Sequence, residues 1–209
     1  MRILLASKSP RRRKLVETFN LEVELVDIEV EEVLDHDVPA DRVAETLACL
    51  KSDGYKKPLA DGEVLLTADT VVVVDGMVIG KPHDRTEAVE MLRNLSDKTH
   101  TVYTGVCLRS SGKSVSFTER TDVHFRMLTD KEIDYYIDNY KPYDKAGAYG
   151  IQEWIGMIGV DRIEGDYYNV MGLPVAQTYQ TIMEISSLQV RRCLTCDQQT
   201  AGETPAYQP

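Results

Sequence analysis

The chain has 209 residues, of which 43% are hydrophobic and 28% charged, with a formal net charge of −10. This describes a globular protein with ample length for a hydrophobic core, and the acidic balance excludes a general nucleic-acid binder, whose footprint is a broad basic surface. No apolar run approaches the roughly 18 residues that a membrane-spanning helix needs, and the opening apolar run is too short for a signal peptide.

Arg2 to Ala6 reads as a buried strand that breaks into Ser7-Lys8-Ser9-Pro10-Arg11-Arg12-Arg13. Ser9 is placed to cap a helix and Pro10 fits its first position, where no donor is needed. That helix, 10–19, hides Leu15, Val16 and Phe19 on one face. Val23 to Val30 reads as a second strand running into Glu31-Glu32. Pro39 opens another helix, with Val43, Ala44 and Leu47 at helical spacing.

Val64 to Val74 is strongly strand-like, and Asp75-Gly76 turns it into a hairpin with Met77-Val78-Ile79. Asp84 and Glu87 resemble a capping box ahead of a helix with Ala88, Met91, Leu92 and Leu95 on one face. Thr101 to Leu108 and Ser114 to Phe125 read as two strands. Thr129 and Glu132 form a second capping-box pattern before Ile133, Tyr136, Ile137 and Tyr140. A glycine-rich segment, Lys145 to Gly150, precedes an expected strand region, and Pro174 opens a last helix to about Ser186. Strands alternating with helices give an α/β fold, and the adjacent hairpins make its sheet mixed. The domain spans 1–187, and the polar tail 188–209 is expected to be disordered.

Four cysteines are present: Cys49, Cys107, Cys193 and Cys196. The first two sit in apparent helix or strand, where a small buried hydrophobe is the ordinary role. The C-x-x-C at Cys193 and Cys196 lacks the second pair or histidine of a zinc site. A reducing cytoplasm fits this usage.

Three segments carry chemistry. Arginines at a helix N-terminus are electrostatically unfavourable without an anion, because the dipole there prefers negative charge. Arg11, Arg12 and Arg13 therefore read either as a solvated face or as an anion site. Asp69 lies within Leu65-Leu66-Thr67-Ala68-Asp69-Thr70-Val71-Val72, and a buried aspartate is costly unless paired, hydrogen-bonded or metal-bound. It is either bonded to backbone at a bulge or serves as a metal ligand or general base. Glu31, Glu32, Lys51 and Lys81 complete an anion-plus-metal inventory suited to phosphoryl or nucleotidyl transfer. In the third segment, Asp144 to Gln152, the glycines allow close ligand approach, and Gln152 offers both the donor and the acceptor that reading a base edge requires.

Taken together, these segments resemble the Maf family of nucleoside triphosphate pyrophosphatases. The resemblance is carried by Ser7-Lys8-Ser9-Pro10-Arg11-Arg12, Thr67-Ala68-Asp69-Thr70, Gly80-Lys81-Pro82 and Tyr103-Thr104-Gly105-Val106. It continues in Asp144 to Gln152 and in Gly165 to Pro174. It implies a Maf/ITPase-like mixed twisted sheet flanked by helices, with the active-site cleft between two lobes. It implies cytoplasmic hydrolysis of nucleoside triphosphates to monophosphate and pyrophosphate with a divalent cation, Mg²⁺ or Mn²⁺. It assigns Asp69 as proton acceptor and Ser7, Ser9, Arg11, Arg12, Glu32, Lys51 and Lys81 to the phosphate and metal site, with Glu32 and Asp69 on the metal. Glu31 competes with Glu32 for that place.

Arg11, Thr70 and Gln152 match the dTTP/UTP branch of the family, whereas the 7-methyl-GTP branch carries tryptophan and glutamine at the first two positions. The resemblance further implies a homodimer. Two alternatives are carried: a pyrophosphatase for 7-methyl-GTP or other modified nucleotides, and a non-catalytic nucleotide-binding regulator of septum formation.

Overall fold

The computed structural model describes residues 1–186 except Glu32, Asp35 and His36. In chain order the elements are β1 (Arg2–Leu5), α1 (Pro10–Glu17), β2 (Glu22–Leu25), α2 (Ala40–Gly54), β3 (Glu63–Val74), β4 (Met77–Ile79), α3 (Arg85–Leu95), β5 (Thr99–Arg109) and β6 (Ser114–Phe125). There follow α4 (Asp130–Tyr140), a single 3-10 turn (Ala146–Ala148), α5 (Trp154–Gly159), β7 (Val160–Glu164), α6 (Tyr167–Met171) and the helical residues 175–186, called α7.

The strands form one mixed sheet in the order β2-β1-β3-β5-β6-β7, with β4 on β3. β1 runs parallel to β2 and β3, and the other pairings are antiparallel. The expected α/β class and mixed sheet are both present. Among the described residues no helix is long and apolar enough to cross a membrane.

Local signals account for most element ends. The Ser9 hydroxyl accepts from the Arg12 N–H and Pro10 occupies the first turn of α1. The Thr129–Glu132 capping box closes in both directions at α4. At α3 only half of the expected box forms: Asp84 caps Glu87, but the Glu87 carboxylate reaches back to the N–H of His83. Asp75 and Gly76 have φ of 51° and 76°, the left-handed pair of a tight hairpin turn.

Two expectations are corrected. The second strand ends at Leu25, not Val30, because its partner among the described residues, β1, ends at Leu5 opposite it. After Gly150 the chain first forms α5 and reaches strand only at Val160. Gly156 explains the helix: a Cβ there would lie 2.0 Å from the Ile151 carbonyl oxygen, so the turn packs backbone against backbone. The tail 188–209, with Cys193 and Cys196, lies outside the described residues.

One face of β3 carries two separate cores. Val64, Leu66 and Ala68 pack with Ile3, Leu5, Leu15, Val16 and Ile182. Val72 and Val74 pack with Leu92, Leu95, Ile133 and Ile155. Between them on the same face stands Thr70, and a cleft opens there. The two lobes are these two cores, which share the long strands. On the opposite face α2 lies directly on the sheet: a Cβ on Gly105 would come within 2.2 Å of the α2 backbone at Glu45.

Candidate active site

The cleft occupies a gap in one edge of β3. Along its other edge β3 is paired to β5 from Leu65 to Val73. On the open edge β1 covers residues 63–66 and β4 covers 72–74, so among the described residues no strand lies beside 67–71. Successive residues of a strand point to opposite faces. At an uncovered edge both can reach the same cleft, and Asp69 and Thr70 both line it.

The first wall comes from the end of β1 and the start of α1. Ser9 and Arg11 line the cleft, and so does Arg12, a residue only 8% exposed. Arg12 donates to the Gly172 carbonyl (2.8 Å), Ser7 Oγ (3.0 Å) and Thr70 Oγ1 (3.3 Å), all neutral oxygens. Burial lowers its pKa, an effect opposed by the charge of Asp69. Ser7 does not line the cleft; it holds Arg12 and accepts from the Ser9 N–H. Arg13 points outward to Glu17, so two of the three arginines face the site.

Asp69 is half-buried rather than enclosed, because the edge gap exposes it, and its carboxylate accepts from the Lys51 ammonium on α2. The close approach of α2 at Gly105, directly opposite Asp69, brings Lys51 there. Asp69 is therefore ion-paired, and the bulge reading falls: the register on β5 is unbroken through it. Lys81 is exposed at the cleft just beyond β4, where Gly80 accepts from the Gly147 N–H at 3.0 Å. Glu31 is exposed and Glu32 lies outside the described residues.

The second wall is the segment from Asp144 to Gln152. Gly147 adopts φ 67°, and a Cβ there would press within 3.2 Å of Val72. Asp144 bridges the walls, accepting from Arg11 (2.7 Å) and Lys145 (2.7 Å). Burial opposes its ionisation, yet those two cations hold its carboxyl down to about 2. Gln152 lines the cleft with its Oε1 buried and unpartnered.

Two positions that shape the site, Lys145 and Asn169, were not singled out individually from sequence. Lys145 is buried in the second wall, with Asp144 and Glu153 as counter-charges. Asn169 is fully buried and donates to Val102 O, Glu119 O and Thr121 Oγ1. Its carbonyl accepts from Thr104, which bonds Thr70 at 2.9 Å, so the network reaches Arg12. In the sequence Asn169 stood only within the Gly165 to Pro174 segment of the resemblance; its partners lie 48 to 67 positions away.

Among the described residues no three His, Cys, Asp or Glu side chains cluster to hold a metal. The donor set still fits a cation that arrives with phosphate, since Mg²⁺ is commonly bound by one or two carboxylates plus phosphate oxygens and water. Asp69 supplies one such carboxylate.

Three curated relatives are dTTP/UTP pyrophosphatases. That of Bacteroides thetaiotaomicron is 46% identical over 88% of this chain and 95% of its own length. That of Phocaeicola vulgatus is 47% identical over 88% and 96%, and that of Parabacteroides distasonis 48% over 87% and 94%. The solved structure of the Staphylococcus aureus Ham1 protein overlaps 60% of this chain and 72% of that one, with a TM-score of 0.45 and 16% identity, too slight a likeness to bear on function. The model of the family described as Maf-like protein matches residues 2–185, and this chain belongs to that family.

Proposed function

We propose that this protein hydrolyses nucleoside triphosphates, dTTP and UTP in particular, to the monophosphate and pyrophosphate. The observation that carries this reading is the first wall: a buried guanidinium satisfied only by neutral oxygens, beside an ion-paired carboxylate, at a helix N-terminus. A cation held so far from water without a matching anion is poised for one from outside, and phosphate suits it.

The triphosphate lies along this wall, with the side chains of Arg12, Arg11 and Lys81 and the Arg11 N–H in the first turn of α1 donating to its oxygens. Lys51 pairs with the Asp69 carboxylate and orients it. Asp69 takes the proton of a water that attacks the α-phosphorus, and pyrophosphate leaves toward Lys81. A divalent cation, Mg²⁺ or Mn²⁺, held by Asp69 and Glu32, would neutralise charge on the phosphates when bound. Gln152 on the second wall, with Arg11 and Thr70, reads the pyrimidine. Residues 1–187 act as one pyrophosphatase unit on a cytoplasmic nucleotide pool.

The deciding experiment is pyrophosphate release from a panel of nucleoside triphosphates with Mg²⁺ or Mn²⁺ and an EDTA control. Metal-dependent turnover of dTTP and UTP well above the purines is the expected result. Turnover of another base keeps the chemistry and removes the specificity. Tight binding without turnover replaces the enzyme by a nucleotide-binding module.

A further inference from the structure

The second wall contains a charge cluster that the reaction does not use. Glu153 occupies the N-cap of α5 but makes no side-chain cap there. Its carboxylate turns back instead, pairing with the buried Lys145 ammonium at 3.1 Å and accepting from the Tyr136 hydroxyl of α4. Tyr136 in turn accepts from the Gly150 N–H at 3.0 Å, and the Glu153 N–H donates to the Gly150 carbonyl at 2.9 Å. Burial and the adjacent carboxylate both push the Tyr136 hydroxyl well above its ordinary pKa, so it stays a donor.

Gln152 sits inside this ring of bonds. The position a Cβ on Gly150 would take is 2.9 Å from Gln152 Nε2 and 3.0 Å from Glu153 Oε2, so the two groups border one small space. A carboxylate on that side favours the NH₂ end of the amide facing it. The other end, Oε1, has no accessible surface and no partner, so the amide meets the cleft at its NH₂ end.

We infer that Glu153 is a positioning residue for substrate selection: anchored by Lys145 and Tyr136, it fixes the Gln152 amide so that its NH₂ donor faces the base. The inference rests on the reading of Gln152 as base reader and adds the group that sets its orientation. Uracil and thymine present a carbonyl acceptor, O4, to such a donor. Cytosine presents an amino donor at that position, which leaves two N–H groups opposed and unpaired, a mismatch that a buried site rejects strongly. An amide free to rotate would accept either base.

The test is steady-state kinetics of dTTP, UTP and CTP with Mg²⁺ for the full chain, Glu153→Gln and Gln152→Ala, with folding checked by thermal melting. Glu153→Gln keeps the size of the side chain and an acceptor for Tyr136 but removes the charge. The expected result is a rise in KM for dTTP and UTP, kcat within about threefold, and a roughly tenfold loss of preference over CTP. If Glu153→Gln does not fold, Tyr136→Phe is the variant, with a smaller loss in the same direction. A folded variant that keeps the preference, or that loses all three substrates in proportion, overturns the inference. If Gln152→Ala also keeps the preference, or the unaltered protein shows none, the base-reading assignment itself has failed. If only Gln152→Ala loses it, the role of Glu153 alone has failed.

Discussion

The two walls of the cleft treat charge in opposite ways. On the first, Arg12 is buried against neutral oxygens and its charge is unmatched at contact distance. On the second, Lys145 is equally buried but lies between Asp144 and Glu153. A buried charge is tolerated when it is paired within the fold or when a ligand completes it. The unmatched wall is therefore the one that receives phosphate, and the matched wall is a scaffold that holds a neutral amide in place. Arg11, bonded across to Asp144, ties the two together.

The contrast is broken most directly at Asp69. Asp69→Asn should lower turnover by about 100-fold or more, because the proton acceptor is lost while the fold of β3 is kept. Nucleotide binding measured by calorimetry should persist. Full activity with unchanged metal dependence in this variant would move the chemistry off the first wall.

A second prediction concerns stability behind the second wall. His100 is fully buried there, bonded through Nε2 to the hydroxyl of Tyr149, a residue of the cleft lining, and burial lowers its pKa from 6.5 to about 4. A depressed folded-state value means that the unfolded chain binds the proton first. The stability is thus fully present above pH 6.5 and is lost as pH falls toward 4, up to about 3 kcal/mol. Urea unfolding across that window should show a steeper acid slope than the same titration of His100→Gln. Equal slopes would mean that another group governs the acid side.

The smallest expected effect is on the first wall. Ser9→Ala removes the α1 cap and should cost about 1 kcal/mol by denaturant unfolding. It should also raise the KM for nucleotide, since the same turn sets the Arg11 and Arg12 side chains along the cleft. A loss of stability with unchanged KM would separate the cap from the binding site.

The first wall was the more legible one because its parts are neighbours in the chain. Ser9, Pro10 and the arginines declare a capped, cationic helix start within a few residues, and each forms as read. Asp69 was legible for another reason: a carboxylate inside an apolar strand needs a partner wherever it folds. Which partner it takes was not legible. Lys51 arrives because Gly105, opposite Asp69 on β5, lets α2 lie against the sheet. The second wall was the harder one, since Lys145 and Glu153 meet only through a turn whose hydroxyl partner, Tyr136, is contributed by α4.

Sequence by itself determined the alternation of strands and helices, the caps, the hairpin at Asp75-Gly76 and the residue types of the site. These follow from interactions a few positions apart, where propensity, periodicity and hydrogen bonding act without the rest of the fold. Tertiary structure alone decided where β2 stops, why residues 154–159 turn to helix, and which edge of β3 stays open between β1 and β4. Register and backbone-to-backbone packing are set by partners far along the chain, and the gap they leave in one strand edge is what makes the cleft.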